Sequence, residues 1–286
     1  WDYLAAYLIC REAGVAMVVG PSHGFDAPVA WAADLIASGA YGAPRMITAL
    51  NFTDFLYRPR RPEELDTAQG GGVIFSQAVH QIDVVRRLAG APLLSVRASA
   101  GAWDADRPTE GAYQAFLTFA GGATASLTYS GFGRWDSDVL MGGVGELGQA
   151  KDPQTYGVAR RRLAHGDEAA LKQERAYGAA TATPAPLPVG HEHFGFVLVS
   201  CERADLRLTA AGVEVCTADE RRTVDLPVAR ASRHGVIDEL WRAVQEDEPP
   251  LHDAAWGREN LAACLAILRS ARENREVSLA ELETKP

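Results

Sequence analysis

The sequence has little cysteine, no long apolar run and no P-loop motif for binding nucleotides. Its four cysteines stand singly, without CxxC pairs or the density of a disulfide scaffold: Cys10, Cys201, Cys216 and Cys264. No apolar stretch approaches the roughly 18 residues that a membrane-spanning helix requires. The first residues also lack the basic stretch, apolar run and cleavage site of a secretory signal. These absences predict a cytoplasmic protein with free thiols and no membrane partner.

Positive charge is scarce as well. Lysine and arginine number 28 against 37 aspartates and glutamates, which leaves a formal net charge of -9. An acidic chain repels phosphate backbones and anionic membranes unless its basic residues are concentrated locally. We therefore expect a small-molecule substrate and no nucleic-acid partner. The 286 residues, 47% of them hydrophobic, are enough for one large domain or two ordinary ones.

Residues 1–20 have the pattern of a helix followed by a strand. Apolar and aromatic residues recur on one side of the first turns, and Gly14 ends the pattern. The run VAMVV, residues 15–19, is continuously apolar, which is typical of a strand covered on both faces. Such a strand requires neighbouring strands, and no earlier part of this sequence supplies them. We predict that an α/β domain precedes residue 21.

The rest of the chain mixes helices and strands. The pattern predicts a helix over 27–42, a strand over 45–56, a helix over 73–88, and strand-like runs from 93 to 144 and from 194 to 227. Residues 151–190 are interpreted as an insertion, with a charged, partly helical segment and a proline-rich loop. Two helices, around 234–247 and 255–273, close the chain. The order predicts an α+β fold, an open and mostly antiparallel sheet with helices on one face.

The segment GVGELG matches the dinucleotide pattern GxGxxG through Gly143, Gly145 and Gly148. In a true fingerprint the glycines turn from a strand into a helix whose N-terminus binds the pyrophosphate. Here QAKDPQ follows, with Pro153 close behind and no apolar helical stripe. We interpret the segment as a glycine-rich turn.

The segment GGGVIFSQAVHQID, residues 70–83, carries the strongest candidate for catalysis. On a helix, at about 100° per residue, Ser76, His80 and Asp83 share one stripe and can face one pocket. Histidine exchanges protons near neutral pH, and a polar neighbour one turn away can fix its tautomer. The glycines leave room for a substrate or cofactor ring to approach the backbone.

Two plainer interpretations of this segment remain open. His80 can be a histidine whose ring is satisfied within a helix packing surface. Asp83 can pair with Arg86 or Arg87 as an ordinary contact on the helix surface.

A basic patch precedes the glycine run and consists of Tyr57, Arg58, Arg60 and Arg61. Guanidinium groups hold planar carboxylates through paired hydrogen bonds, so a ring with one or two carboxylates is a sensible ligand. The alternative is a loop of solvated arginines.

Further candidates lie at the crossover into the second domain. Ser22 and His23 can line a pocket there, although Ser22 or Asp26 can instead cap the next helix. His191 and His193 alternate along a strand start, so only one of them faces a given side, and we assign His193 to the substrate. A metal site is not predicted, because the histidine spacing is not that of a zinc helix and no cysteine joins it.

The run GGGVIFSQAVHQIDVVRRLAG resembles the signature of the Gfo/Idh/MocA family, in which a glycine run precedes a helix bearing Asp, then His, then Asp. MVVGPSHGFDAPVAWAADLIASGAYGAPRMI is similar to the segment that crosses from the nucleotide domain of that family to its substrate domain. SQAVHQ and YRPR further resemble the phthalate 4,5-cis-dihydrodiol (4,5-dihydroxyphthalate) dehydrogenase group within the family. The sequence departs at Ser76, where many members have Asp; a serine can hydrogen-bond the ring but cannot stabilise imidazolium as a carboxylate does.

The resemblance implies an architecture. Residues 1–20 correspond to the last helix and strand of a Rossmann-type dinucleotide-binding domain, and residues 21–286 to a substrate and oligomerisation domain. The family's glycine fingerprint and Lys-Pro motif would lie ahead of Trp1. NAD or NADP would then bind mostly outside this chain, with Gly71, Gly72 and Gln77 contributing. A homodimer or tetramer through the open sheet face is also implied.

The resemblance also implies an activity. The chain would belong to an NAD(P)-dependent dehydrogenase that moves hydride between nicotinamide and a hydroxyl-bearing substrate, with a carboxylated aromatic cis-dihydrodiol as one candidate. His80 would take the hydroxyl proton. The alternatives are a non-catalytic binding or assembly module without the nucleotide domain and, third, a metal-dependent hydrolase or lyase.

Overall fold

The computed structural model describes residue 12 and residues 14–20, 22–155, 157–177, 187–228 and 234–283. The helix expected over the first residues and most of the proline-rich loop after residue 180 lie outside these ranges. The residues of the expected first strand form neither helix nor strand, and the Val19 N–H donates to the His252 carbonyl oxygen at 2.7 Å. A strand requires a hydrogen-bonded neighbour, and none of the described strands pairs with this segment.

The described residues form one sheet of nine strands: β1 Pro44–Phe52, β2 Leu93–Gly101, β3 Ala112–Phe119, β4 Thr124–Ser130, β5 Phe196–Cys201, β6 Asp205–Leu208, β7 Gly212–Cys216, β8 Arg221–Asp225 and β9 Val277–Ser278. Their order is β8-β7-β6-β5-β1-β4-β3-β2-β9. Only the pair β1 and β4 is parallel among these strands, with Thr48 opposite Ser126. The prediction of an open, mostly antiparallel sheet is therefore confirmed.

The helices in the described part of the chain are α1 Ala27–Ala37, α2 Val79–Ala89, α3 Val158–His165, α4 Glu168–Tyr177, α5 His234–Gln245, α6 Ala254–Glu273 and α7 Ala280–Glu283. Helices α1, α2 and α6 cover one face of the sheet. Alternate strand residues point to that face and are fully buried, as Ile47 of β1 and Leu127 of β4 show. The opposite face is open, with Met46 51% and Phe116 49% exposed.

One local prediction is wrong. Residues 137–141 form a 3-10 helix, Ser137–Met141, instead of a strand, because the Asp136 carboxylate accepts from the Asp138 N–H at 3.1 Å and starts a turn. Helix α5 forms where the sequence predicts a helix, and its apolar side chains are exposed, with Ile237 65% and Val244 60% accessible. Among the described residues, no helix is both long and apolar enough to cross a membrane.

Candidate active site

His80 lies in the first turn of α2, directly after a π-helix that spans Ile74–Ala78. The sequence predicts one regular helix here, and the structure inserts this wider turn. Short π-helical turns are rare and frequently occur at functional sites. Ser76 lies within the turn, and its carbonyl oxygen accepts from the Gln77 side-chain amide at 2.7 Å. Gln77 in turn accepts from the Tyr129 hydroxyl at 2.9 Å, so its side chain fixes the turn to the sheet.

The glycines before this turn make room for the chain itself. Gly72 has a φ of +85°, and a Cβ there would lie 2.1 Å from Oε1 of Glu110. A Cβ on Gly71 would lie 2.5 Å from the Glu63 carbonyl oxygen. Glu110 also accepts from the Ile74 N–H at 3.4 Å, so it satisfies a donor at the start of the turn. The space that we expected a ring to enter is occupied by the protein.

His23 stands beside His80. The two ring centroids are 5.2 Å apart at an interplanar angle of 78°, and Phe194 lies 5.0 Å from each ring. His23 is 2% exposed, whereas His80 is half-buried. The crossover segment and the helix of His80 therefore meet here, although only the backbone of Ser22 is described.

Two carboxylates contact the His23 ring from opposite sides. Asp26 Oδ2 lies 2.9 Å from Nδ1, and Glu146 Oε1 lies 3.5 Å from Nε2. Burial alone would lower the pKa of His23, but Asp26 and Glu146 outweigh it and raise this pKa to about 10. His23 is thus an imidazolium at neutral pH. Asp26 occupies the N-cap position of α1, yet its side chain makes no capping hydrogen bond.

Glu146 is the site residue that the sequence analysis missed. It lies inside GVGELG, where the Gly145 N–H bonds the Gln149 carbonyl at 2.8 Å. The segment is the predicted turn, and its next helical residues are the short 3-10 turn Pro153–Thr155. Burial opposes ionisation of Glu146, but His23, Arg58 and His80 lower its pKa to about 2. No motif spacing links Glu146 to His80, so only the fold reveals the carboxylate.

His193 holds this turn in place. Its Nε2 lies 2.9 Å from the Val144 carbonyl oxygen, and its Nδ1 accepts from the Gly195 N–H at 3.0 Å. Its backbone N–H donates to the Glu146 carbonyl at 3.1 Å. Both ring nitrogens are engaged by the backbone, so the structure gives His193 a supporting position and not the direct substrate contact that we expected.

The predicted basic patch divides. Arg58 reaches the site: its Nη1 lies 3.8 Å from Glu146 Oε2, and its Nε donates to Asp54 at 2.8 Å. Arg60 lies over the Phe55 ring, 3.5 Å from its centroid, and donates to the Phe55 carbonyl at 3.1 Å.

The other two members of the patch point elsewhere. Arg61 is a surface residue with a 61% exposed side chain that pairs with Glu63 at 3.2 Å. The Tyr57 hydroxyl donates to Asp104, and the Arg160 guanidinium lies 3.5 Å over its ring.

Asp83 faces away from the histidine pair. Its Oδ1 accepts from the Trp256 indole N–H at 2.6 Å and from the Asn260 amide at 3.0 Å. Its Oδ2 lies 3.8 Å from Nε2 of His252. The side chain is completely buried, and these contacts fasten α2 to α6. Asp83 thus contacts α6 instead of sharing a stripe with His80, and Arg86 and Arg87 act on it electrostatically without a direct ion pair in the described residues.

The described residues do not form a dinucleotide cradle. Glu63 and Glu110 occupy the space beside Gly71 and Gly72, and the turn at Glu146 does not lead into an α-helix. A cradle requires a strand, a glycine turn and a helix in direct succession. What these residues fit is the substrate side of a reaction, with a half-buried histidine, an ionised carboxylate and a guanidinium within one cluster.

Comparisons with known proteins agree with this chemistry. A family profile described as the GFO/IDH/MocA C-terminal domain matches residues 29–149. The chain is 42% identical over 269 residues to a 1-carboxy-3-chloro-3,4-dihydroxycyclohexa-1,5-diene dehydrogenase from Comamonas testosteroni, covering 92% of this chain and 68% of the relative. A candidate dehydrogenase from Bordetella bronchiseptica is 41% identical with a TM-score of 0.87, covering 94% and 71% of the two chains.

More distant structures share the fold. An oxidoreductase from Agrobacterium radiobacter, solved with NAD+, L-tartaric acid and magnesium, is 14% identical with a TM-score of 0.63, covering 98% of this chain and 70% of its own. The WlbA dehydrogenase from Bordetella pertussis, solved with NADH and UDP-GlcNAcA, is 19% identical with a TM-score of 0.57, covering 94% and 64%. Because it is 42% identical to the dehydrogenase from Comamonas testosteroni and shares the fold of these oxidoreductases, the chain belongs to the Gfo/Idh/MocA family of oxidoreductases.

Proposed function

We propose that this dehydrogenase oxidises a carboxylated cis-dihydrodiol with a nicotinamide cofactor, NAD or NADP. The observation that carries the proposal is the cluster in which His80, an ionised Glu146 and Arg58 come together. The relative from Comamonas testosteroni is named for a carboxylated, dihydroxylated cyclohexadiene, which has the chemistry that such a cluster fits. The dehydrogenase relative also favours an enzyme over a non-catalytic assembly module.

His80 is the proposed acceptor of the hydroxyl proton. Oxidation of an alcohol removes a hydride from the carbinol carbon and a proton from the hydroxyl oxygen, and leaves a carbonyl. His80 is half-buried, and imidazole is suited to exchanging a proton with a hydroxyl near neutral pH. For a cis-dihydrodiol, the hydroxyketone then tautomerises to a catechol. Ser76 lies one turn before His80 and remains a candidate hydrogen-bond partner for the His80 ring.

Arg58 is the proposed partner of the substrate carboxylate. Its Nη1 is 3.8 Å from Glu146, which is longer than a direct hydrogen bond, so donors of the guanidinium remain for a ligand. Arg60 and His23 are proposed to line the same pocket, whereas Arg61, Tyr57 and His193 support the loops around it. Gly71, Gly72 and Gln77 are proposed to shape the turn of His80 so that a nicotinamide ring can lie near it.

Two features of the whole molecule complete the proposal. The open sheet face, with Met46 and Phe116 about half exposed, is proposed to form a homodimer or tetramer contact. The cysteines in the described ranges, Cys201, Cys216 and Cys264, are free thiols, which supports a cytoplasmic location.

The test compares Arg58→Gln with Arg61→Gln in the full-length enzyme. Reduced nicotinamide is measured with a carboxylated cis-dihydrodiol and with its carboxyl-free analogue. Loss of a charged hydrogen bond costs about 1.5–3 kcal/mol, so kcat/KM of Arg58→Gln should fall roughly 10- to 150-fold on the carboxylated substrate only. Arg61→Gln is the matched control and should stay within about threefold. Equal losses on both substrates, or no turnover of either by wild type, would contradict the proposal.

A further inference from the structure

Glu146 is a charged side chain of the cluster to which the proposed reaction assigns no role. We propose that Glu146 is a positioning residue whose negative charge balances the His23 imidazolium, so that His80 can hold the substrate proton. This inference rests on the proposed function only in taking His80 as the proton acceptor.

The geometry places Glu146 between the positive groups of the site. One carboxylate oxygen lies 3.5 Å from His23 Nε2 and the other 3.8 Å from Arg58 Nη1. Its backbone is fixed by the His193 N–H and by the bond from Gly145 to Gln149. The side chain is only 26% exposed, so its charge is weakly screened.

The reason for needing this charge is the neighbouring imidazolium. His23 carries a proton at neutral pH, and its ring centroid is 5.2 Å from that of His80. A positive charge at that distance opposes a second protonation, which is the event that substrate oxidation requires of His80. Glu146 offsets this repulsion, and its ionised form is in turn favoured by His23, Arg58 and His80.

Other charged groups surround the pair, and Glu146 stands out among them. Asp26 bonds the far side of the His23 ring, and Glu192 and His193 act on Asp26. Asp54 neutralises Arg58 at 2.8 Å, and Arg175 adds positive charge near Arg58 and Glu146. Within this set Glu146 is the carboxylate that meets both His23 and Arg58.

The experiment is the pH profile of kcat/KM for Glu146→Gln in the full-length enzyme. An opposite charge within about 4–6 Å shifts a proton affinity by 1–3 pH units, and partial exposure favours the lower end. We expect the acid limb of the profile to move about one unit to lower pH, and kcat at the plateau to fall several-fold. Glu146→Asp, which keeps the charge, should restore most of the limb.

Glu214→Gln is the matched control. Glu214 lies on β7, outside the histidine cluster, and contacts Arg207 of β6 and Arg221 of β8 at 3.1 Å each. Its removal changes net charge equally and should leave the limb in place. An unmoved limb in Glu146→Gln, or an equal shift in Glu214→Gln, overturns the inference.

His80→Ala, measured in the same series, separates the two proposals. If its turnover stays near wild type, the proposed function fails; if His80→Ala is inactive while the limb of Glu146→Gln is unmoved, only the role of Glu146 fails. If Glu146→Gln does not fold, the pH profile of Glu146→Asp is the test. The shorter side chain lengthens the contact between the carboxylate and His23, so the acid limb must still move part of the way to lower pH.

Discussion

The sharpest structural prediction concerns Asp83, which lies on the helix of His80 but contacts α6. One carboxylate oxygen serves two donors, the Trp256 indole at 2.6 Å and the Asn260 amide at 3.0 Å. Asp83→Ala leaves both donors unpaired, and Asn260 is almost fully buried. A buried donor without a partner costs about 1–3 kcal/mol, so the two together should lower the free energy of unfolding by roughly 2–6 kcal/mol.

Asp83→Asn separates anchoring from catalysis. The amide oxygen can still accept from Trp256 and Asn260, while the negative charge near His252 is lost. Burial raises the pKa of Asp83, against the effects of His252, Trp256 and Asn260, so the charge itself contributes little stability. We expect Asp83→Asn to cost about 1 kcal/mol or less in unfolding and to keep kcat within a few-fold of wild type.

Urea denaturation followed by circular dichroism measures these differences in the purified enzyme. Trp256→Phe is the companion variant, because it removes one donor and should remove part of the cost of Asp83→Ala in a double-mutant cycle. Two results would refute the reasoning. One is a cost of Asp83→Ala below about 1 kcal/mol; the other is an Asp83→Asn enzyme that is stable but inactive, which would return Asp83 to the catalytic stripe.

Two further predictions concern stability. Folding raises the pKa of His23 from 6.5 to about 10, so the stability that His23 contributes is complete below pH 6.5 and is lost as the pH rises through 10. At about 1.4 kcal/mol per pH unit, the free energy of unfolding should be lower near pH 9.5 than near pH 7 in wild type, with a smaller difference in His23→Asn. An equal pH dependence of this free energy in both proteins, measured by denaturant titration, would count against the prediction. Gly72→Ala introduces a Cβ at positive φ, 2.1 Å from Glu110, and should lower Tm by several degrees. Gly39→Ala is the control, because Gly39 has a φ of +72° and open space around it, so its loss of Tm measures the cost of backbone strain alone. Similar losses of Tm in both variants would show that Glu110 moves aside.

The sheet was predictable because its information is local. Alternating apolar residues such as Ile47 and Ala49 specify which face of β1 is buried, and polar turns separate the strands. Local chemistry also explains the failure at Ser137–Met141, where an aspartate cap overrides strand-like composition.

The site was predictable only in part, because its contacts are long-range. His80 and His23 could be named from motif and crossover, and Arg58 from its basic patch. Glu146 could not, since it reaches His23 across more than a hundred residues from a turn that resembles a nucleotide fingerprint. Asp83 shows the converse: a spacing of three residues from His80 suggests a shared pocket, yet Trp256 and Asn260 bind it from another helix.

The most direct test of the central claim is the turnover of a carboxylated cis-dihydrodiol by the full-length enzyme and by His80→Ala. Formation of reduced nicotinamide would be followed with NAD and with NADP, and circular dichroism would confirm that the variant is folded. General-base catalysis contributes roughly 10²–10⁴-fold, so the variant should lose about that factor in kcat while KM changes little. A folded His80→Ala enzyme that turns over within a few-fold of wild type would contradict the account.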